Sequence, residues 1–353
     1  MKVCYFGIYN PEYSRNRILI KGLKQNDVEV IECRTDCTGI KKYFDLIKKH
    51  WRIRHDYDIL IAGFPGNHSA VLAKLLTRKP VVFDAYLSFY NALIFDRKES
   101  SPKSLRALRY WLVDFLPSQF ADRVLLDTQE HINYFVKTFK AKRRKFIRVF
   151  IGADDDVFVP SSDNNNNNSD FIVGFHGMFV PTQGAEYIVK AAEILKGHQD
   201  IKFDFVGSGK DYDKTVKLAQ ELKLDNVKFY GRVDFREVPK YVAGFDIVLG
   251  NFGDTDKTTR VIANKTYETL AMSKPHLSAD VPAMREFFTD RQDILFCQTA
   301  NPQDLAEKIL ILKNDKELMK KIAEGGYKIF KERATPKVVA GQLLADLSKK
   351  IKK

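Results

Sequence analysis

The sequence predicts an α/β protein of two doubly wound domains, each a parallel sheet with helices on both faces, followed by a terminal helix. Three observations predict it. Short apolar runs alternate with helical periodicities along the 353 residues. The alternation breaks at Ser161-Ser162-Asp163 and the five asparagines Asn164 to Asn168, then restarts. The length exceeds what one hydrophobic core usually serves and suits two.

Before the asparagine tract, buried strands are expected at 3–8, 28–31, 59–62, 81–83, 124–126 and 146–149. Each is a short apolar run between polar or turn residues. Helical periodicity separates them at 14–24, 69–76, 104–116 and 128–139. After the tract, strands are expected at 171–175, 202–206, 227–230, 247–249 and 294–296. Helices are expected between them at 184–195, 211–222, 264–272 and 302–312, and 336–353 reads as a terminal helix with a basic end. Near-continuous apolar strands suit parallel sheets covered on both faces. The expected organisation is therefore a first domain over 1–160, an Asn-rich linker over 161–170, a second domain over 171–335 and the helix 336–353. Two such domains leave a cleft, and doubly wound sheets bind ligands at their carboxyl strand ends near a topological switch point.

Composition narrows the class. Hydrophobic residues at 44% and charged residues at 29% exclude wholesale disorder. No apolar run approaches the roughly 18 residues of a membrane span, and Met1 to Ile8 lacks the features of a signal peptide. A cytoplasmic protein is expected. Cys4, Cys33, Cys37 and Cys297 are too sparse for a disulfide framework, and neither they nor the seven histidines show metal-ligand spacing. No metal and no cofactor are expected.

The net charge of +13 is uneven. Residues 1–160 hold 28 Lys/Arg against 18 Asp/Glu, and the remainder 30 against 27. An anionic partner for the first half follows. Segment 40–54 interleaves Ile40, Tyr43, Phe44, Ile47, Trp51 and Ile53 with Lys41, Lys42, Lys48, Lys49, Arg52 and Arg54. Segment 104–116 lines Leu105, Leu108, Leu112 and Phe115 beside Lys103, Arg106 and Arg109, and 140–148 holds six basic residues. An amphipathic basic helix lies on an acidic membrane surface or covers a core with its charges in water, and both readings stay open. No recognition motif accompanies the charge, so nucleic acid is not expected.

Glycines follow several strands: Gly63 and Gly66, Gly174 and Gly177, Gly207 and Gly209. Glycine there lets a backbone approach a phosphate, although short strand-to-helix turns need it anyway. The segment 250–275, GNFGDTDKTTRVIANKTYETLAMSKP, is the most informative. Lys265 and Glu268 are three apart and share a helix face. A cation at a helix start is unfavourable unless an anion joins it. Lys257, Arg260 and Lys265 therefore fit a diphosphate and Glu268 a ribose, while a solvated helix start with a local ion pair fits equally.

Four stretches in order carry a family resemblance over essentially the whole chain. They are HGMFVPTQGAEYIVKAAEIL (176–195), VGSGKDYDKTVKLAQEL (206–222), NVKFYGRV (226–233) and NKTYETLAMSKP (264–275). Together they resemble the GT-B glycosyltransferases of the large retaining family 4 group. The resemblance implies two Rossmann-like domains facing across a cleft. It implies transfer of a sugar from a nucleoside diphosphate sugar to an acceptor hydroxyl with retention, without a metal and without an enzymic nucleophile. A cell-surface glycan or lipid-linked saccharide is the default acceptor. The basic segments of the first half leave a peripheral place at the inner face of the membrane open. Glu268 matches the second glutamate of the family's E-x7-E motif and would hold the ribose. Asn264, Lys265, Lys257, Arg260, Gly177, Gly207, Gly209 and Arg232 complete the expected nucleotide-sugar site.

The departures are specific. The first glutamate of E-x7-E falls on Arg260, and Asp254 lies nearest that position when measured from the preceding strand. The usual diphosphate cations of G-R-x4-K-G fall on Met178 and Gln183. The expectation is that the charge has moved to Lys257, Arg260 and Lys265. The alternatives are a glycosyltransferase-like binder without turnover and a GT-B nucleotide-sugar epimerase. Asp254, Asp84 and His68 are the catalytic candidates. Asp96-Arg97 and Asp127-Thr128 are read as caps. Asp254-Thr255-Asp256 has the letters of a metal-binding DxD, read as coincidence.

Overall fold

The computed structural model describes residues 1–161 and 170–351. The asparagines Asn164 to Asn168 of the expected linker lie outside the described residues. The chain divides into two compact units, 1–152 with 334–353, and 153–333. The division thus falls at Gly152/Ala153, ahead of the asparagine tract. The helix after residue 335 belongs to the first unit.

The first unit is built on strands β1 (Lys2–Gly7), β2 (Glu29–Arg34), β3 (Ile59–Ala62), β4 (Val81–Tyr86), β5 (Arg123–Leu126) and β6 (Phe146–Arg148). They form a parallel sheet in the order β2-β1-β3-β4-β5-β6. Its helices are α1 (Ser14–Lys24), α2 (Lys41–Ile53), α3 (Asn67–Leu76), α4 (Leu105–Phe120) and α5 (Gln129–Phe139). Every residue of β3 and β4 is buried, as a sheet covered on both faces requires. Two helix starts are written in the sequence. The Ser104 hydroxyl accepts from the Ala107 N–H, and Thr128 does the same for His131 at the start of α5, both at 3.1 Å.

The second unit repeats the plan. Strands β7 (Phe171–Met178), β8 (Ile201–Ser208), β9 (Val227–Gly231), β10 (Ile247–Leu249), β11 (His276–Ala279) and β12 (Leu295–Cys297) form a parallel sheet in the order β12-β11-β10-β7-β8-β9. Helices α6 (Ala185–Ile194), α7 (Tyr212–Glu221), α8 (Val238–Ala243), α9 (Asn264–Ala271), α10 (Pro282–Arg285), α11 (Pro302–Asn314) and α12 (Lys316–Arg333) cover it. The first strand, β7, lies between β8 and β10. The chain winds outward to one side and then the other, so the switch point is at β7/β10. Strand β11 and helices α8, α10 and α12 were not expected from the pattern.

The last helix, α13 (Pro336–Ile351), packs on α1 in the first unit. Gly22 permits it, because a Cβ there would stand 1.9 Å from the Pro336 carbonyl oxygen. Val339, Ala340, Leu343 and Leu347 join Val3, Leu19 and Leu23 in one core cluster. No described helix is long and apolar enough to cross a membrane.

Candidate nucleotide-sugar site

Gly177, Lys265 and Glu268 come together at the switch point. Strand β7 carries Phe175, His176 and Gly177 just before its last residue, and β10 leads through residues 250–263 into α9. That loop is pinned at its start on two sides. Gly250 N–H donates to Leu277 O at 2.8 Å, and Asn251 N–H to the Ser278 hydroxyl at 3.2 Å. Phe252 N–H donates to Gln183 O at 3.0 Å, and Gly253 N–H to Thr182 O at 3.2 Å. The turn carrying Gln183 is therefore bonded directly to the loop carrying Lys257 and Arg260.

Lys265 and Glu268 occupy the first two turns of α9. Glu268 is buried, with a carboxylate oxygen 3.0 Å from His176 Nε2. Lys265 is 3% exposed, and its Nζ has no hydrogen-bond partner. The Nζ lies 3.5 Å from the centroid of the Phe175 ring. Burial pushes this ammonium well below the ordinary lysine range, and the Glu268 carboxylate opposes the shift. Beneath it, His276 Nε2 is 3.1 Å from the Thr266 hydroxyl. Burial, then Lys265 and His176, hold His276 down at about 3, so it is neutral. An unpaired buried cation is expensive, and these surroundings disfavour the charged form of Lys265.

The backbone leaves room beside that cation. Gly177 has φ +129°, and a Cβ built there would meet only Lys265 Cε, at 4.0 Å. Gly207 serves differently. A Cβ on it would stand 1.9 Å from Gly177 O, at φ +138°, so Gly207 lets β8 press against the Gly177 turn. Gly209 is likewise confined by the backbone of Phe179, with the nearest atom at 2.4 Å. Ala263 precedes α9 and offers no side-chain cap, and Asn264 is the first helical residue. In the first turn the Thr266 N–H donates to Ala263 O at 3.0 Å.

The remaining residues are placed less uniformly. Arg260 is buried, with Nη2 2.5 Å from an Asp256 carboxylate oxygen. Lys257 is half-buried in the same loop, and Asp254 is exposed. The Tyr187 hydroxyl donates to the Asp254 carboxylate, and burial, then the Asp254 and Glu186 carboxylates, push Tyr187 up to about 12. Met178 is exposed at the end of β7, so no cation stands there. Arg232 is exposed after the edge strand β9, two strands and on the order of 10 Å from β7. No described contact joins it to the others.

In the first unit the catalytic candidates are not brought together. Asp84 is fully buried on β4 and held by Arg15 of α1 at 3.0–3.2 Å through Nε and Nη2. Arg15 Nη1 also donates to Val149 O and Phe150 O. This carboxylate is committed to a structural ion pair, which corrects its reading as a proton acceptor or sugar ligand. His68 is exposed on α3, in a trough against α4. Thr128 is a cap, as expected, but Asp127 instead pairs with His131 Nδ1 at 2.5 Å. Arg15, Phe175, His176 and His276 were not among the expected site residues.

Residues 160–329 match the family model described as "Glycosyl transferases group 1". An uncharacterized glycosyltransferase of Methanocaldococcus jannaschii is 29% identical over 167 residues, 47% of this chain and 45% of that protein. The match therefore spans about half the length of that relative. Among solved structures, HepE of Anabaena in complex with UDP aligns with a TM-score of 0.74 at 17% identity, over 99% of this chain and 100% of that one. HepE in complex with UDP-glucose aligns at 0.73 and 19%, with the same coverage. Sucrose-phosphate synthase of Thermosynechococcus elongatus aligns at 0.75 and 14%, over 99% of both chains. At these identities the likeness is one of fold, the two-domain α/β architecture of GT-B glycosyltransferases.

Proposed function

We propose that this chain, with a glycosyl transferases group 1 domain over residues 160–329 and a GT-B fold, is a glycosyltransferase that moves a sugar from a nucleoside diphosphate sugar to an acceptor hydroxyl with retention. One observation carries the reading: the unpartnered, buried Lys265 beside Glu268, under the open backbone of Gly177. In our reading, Glu268 accepts from the two ribose hydroxyls. Lys265 meets the diphosphate, with Lys257 and Arg260 supplying charge from the neighbouring loop. Bond cleavage builds negative charge on the leaving diphosphate, and an ammonium held against it in a dry site stabilises that charge most where it develops. The acceptor hydroxyl attacks on the face the diphosphate leaves, and its proton passes to a leaving phosphate oxygen. Asp254, exposed at the loop, is the residue we assign to the sugar hydroxyls. We assign no catalytic role to Asp84 or His68.

The relatives solved with UDP and UDP-glucose support a uridine donor. We read the reaction as metal-independent, family 4 chemistry. The acceptor is a lipid-linked saccharide or cell-surface glycan, and the protein acts from the cytoplasm, peripheral at the inner face of the membrane. A binder without turnover is favoured only by the engagement of Arg260 with Asp256, and donor hydrolysis or transfer separates the two.

The test is calorimetric titration of UDP into the wild type and Glu268→Ala. Loss of hydrogen bonds to a charged acceptor weakens binding by roughly 1.5–3 kcal/mol, about 10- to 150-fold. Unchanged affinity in Glu268→Ala sinks the ribose assignment, and no heat with any nucleoside diphosphate sinks the donor site.

A further inference from the structure

Helix α2 and the residue before it turn four large apolar side chains away from the protein. Ile40, just before it, is 72% exposed, Phe44 66%, Ile47 37% and Trp51 64%. At 100° per residue these four fall within about 60° of arc. The residues that α2 buries are Leu46 and His50, on a different side. Beside the apolar stripe runs a cationic row at the same spacing, Lys41, Lys48 and Arg52. All three are exposed, and none is in an ion pair among the described residues. The guanidinium of Arg54 covers the Trp51 ring at 4.1 Å.

Helix α4 repeats the device. Leu105 is 85% exposed, and Leu108, Leu112, Leu116 and Phe120 continue the stripe over the full helix. Phe115, expected on that stripe, instead stacks on Trp111 at 4.5 Å and faces inward. The two helices converge on α3. Lys42 of α2 and Arg109 of α4 line one concavity of about 230 Å³ with His68, Phe89 and Tyr110. The α3–α4 trough beside it is almost entirely apolar, lined by Val71, Leu105, Leu108 and Leu112.

We propose that α2 and α4 form a docking face for an anionic lipid bilayer, their apolar stripes entering the acyl boundary and Lys41, Lys48 and Arg52 meeting lipid phosphates. Charge complementarity selects this occupant. Two parallel-spaced rows, one apolar and one cationic, are what an in-plane amphipathic helix presents at a headgroup interface. The concavity flanked by Lys42 and Arg109 seats one phosphate headgroup, with its acyl chain in the α3–α4 trough. His68 thereby belongs to the membrane side of the molecule. The face deepens the peripheral reading given above and is independent of the donor site.

The full chain is tested by cosedimentation with phosphatidylcholine vesicles with and without phosphatidylglycerol. Trp51 fluorescence is followed in a Trp111→Phe background. Binding is expected only with phosphatidylglycerol, weakened by salt, with a blue shift of Trp51. Replacing Lys41, Lys48 and Arg52 by glutamine is expected to weaken it about a hundredfold, at roughly fivefold per cation. Phe44→Ser with Trp51→Ser is expected to abolish it. All five side chains are exposed, so the UDP-induced melting shift is expected to survive in both variants. No binding to anionic vesicles, or binding indifferent to both variants, overturns the face while leaving the donor reading intact. Self-association that these variants abolish, without vesicle binding, assigns the face to a second copy and also overturns the proposal.

Discussion

Replacing Lys265 by methionine should stabilise the protein and weaken its hold on a nucleoside diphosphate. In the free protein, Lys265 Nζ is buried over the Phe175 ring without a hydrogen-bond partner. An unsatisfied buried polar group costs about 1–3 kcal/mol. Methionine fills nearly the same volume with no polar end. At about 2–4 °C per kcal/mol for a unit of this size, Lys265→Met should raise the melting temperature by roughly 2–12 °C. The same change removes a charge-assisted bond to the diphosphate, and UDP affinity should fall roughly 10- to 150-fold. Proton bookkeeping gives a second readout. Unfolded, Lys265 holds its proton up to the ordinary lysine range; folded and free, burial releases it earlier. Between those values the unfolded state binds more protons, so stability rises with pH across the window. A bound diphosphate restores the proton, so affinity is strongest at low pH and falls as pH rises through the window. Calorimetry in two buffers of different ionisation enthalpy should show proton uptake by the wild type and none by Lys265→Met. A variant that melts no higher and binds UDP equally well refutes the reasoning.

Two other perturbations test the framework around the site. Gly207→Ala places a Cβ against Gly177 O at a strained φ, and should cost about 2 kcal/mol or more and abolish the UDP-induced melting shift. Urea unfolding checks the first part, and an unchanged midpoint contradicts the close approach. Arg15→Met should cost about 3–5 kcal/mol by leaving Asp84 buried and uncompensated, and adding Asp84→Leu should recover most of it. If the double variant is no better than the single one, the pair does not act as a unit.

The layered α/β plan was legible because its strands are local and apolar. Ile59–Ala62 and Ile247–Leu249 are runs that only a doubly covered sheet can bury. Strand β11 was not, because His276 and Ser278 look polar until Thr266 and Asn251 supply their partners from elsewhere in the chain. Helix α12 was overlooked among its charges, although Leu318, Ile322, Gly326 and Phe330 recur at four-residue intervals and are all buried. Lys265 and Glu268 were readable from their helix-face spacing. His176 and Phe175 were hidden beside the glycine that drew attention, and only tertiary packing places them against α9. Arg15 carried a usable signal, since it shares a helix face with Ile18, Leu19 and Gly22. The apolar stripes of α2 and α4 were visible in sequence, but their outward direction was not. Periodicity reports that residues share a face, and packing alone decides which way that face looks.

The return of α13 to the first unit has a consequence for biosynthesis. The chain leaves that unit at Gly152 and re-enters it at Ala334. During translation, Val3, Leu19 and Leu23 emerge before the second unit, and Val339, Ala340, Leu343 and Leu347 only after it. The second unit, contiguous over 153–333, has all its strands available before the first unit's core can close. On the ribosome, the first unit thus completes its core only after the second unit has emerged.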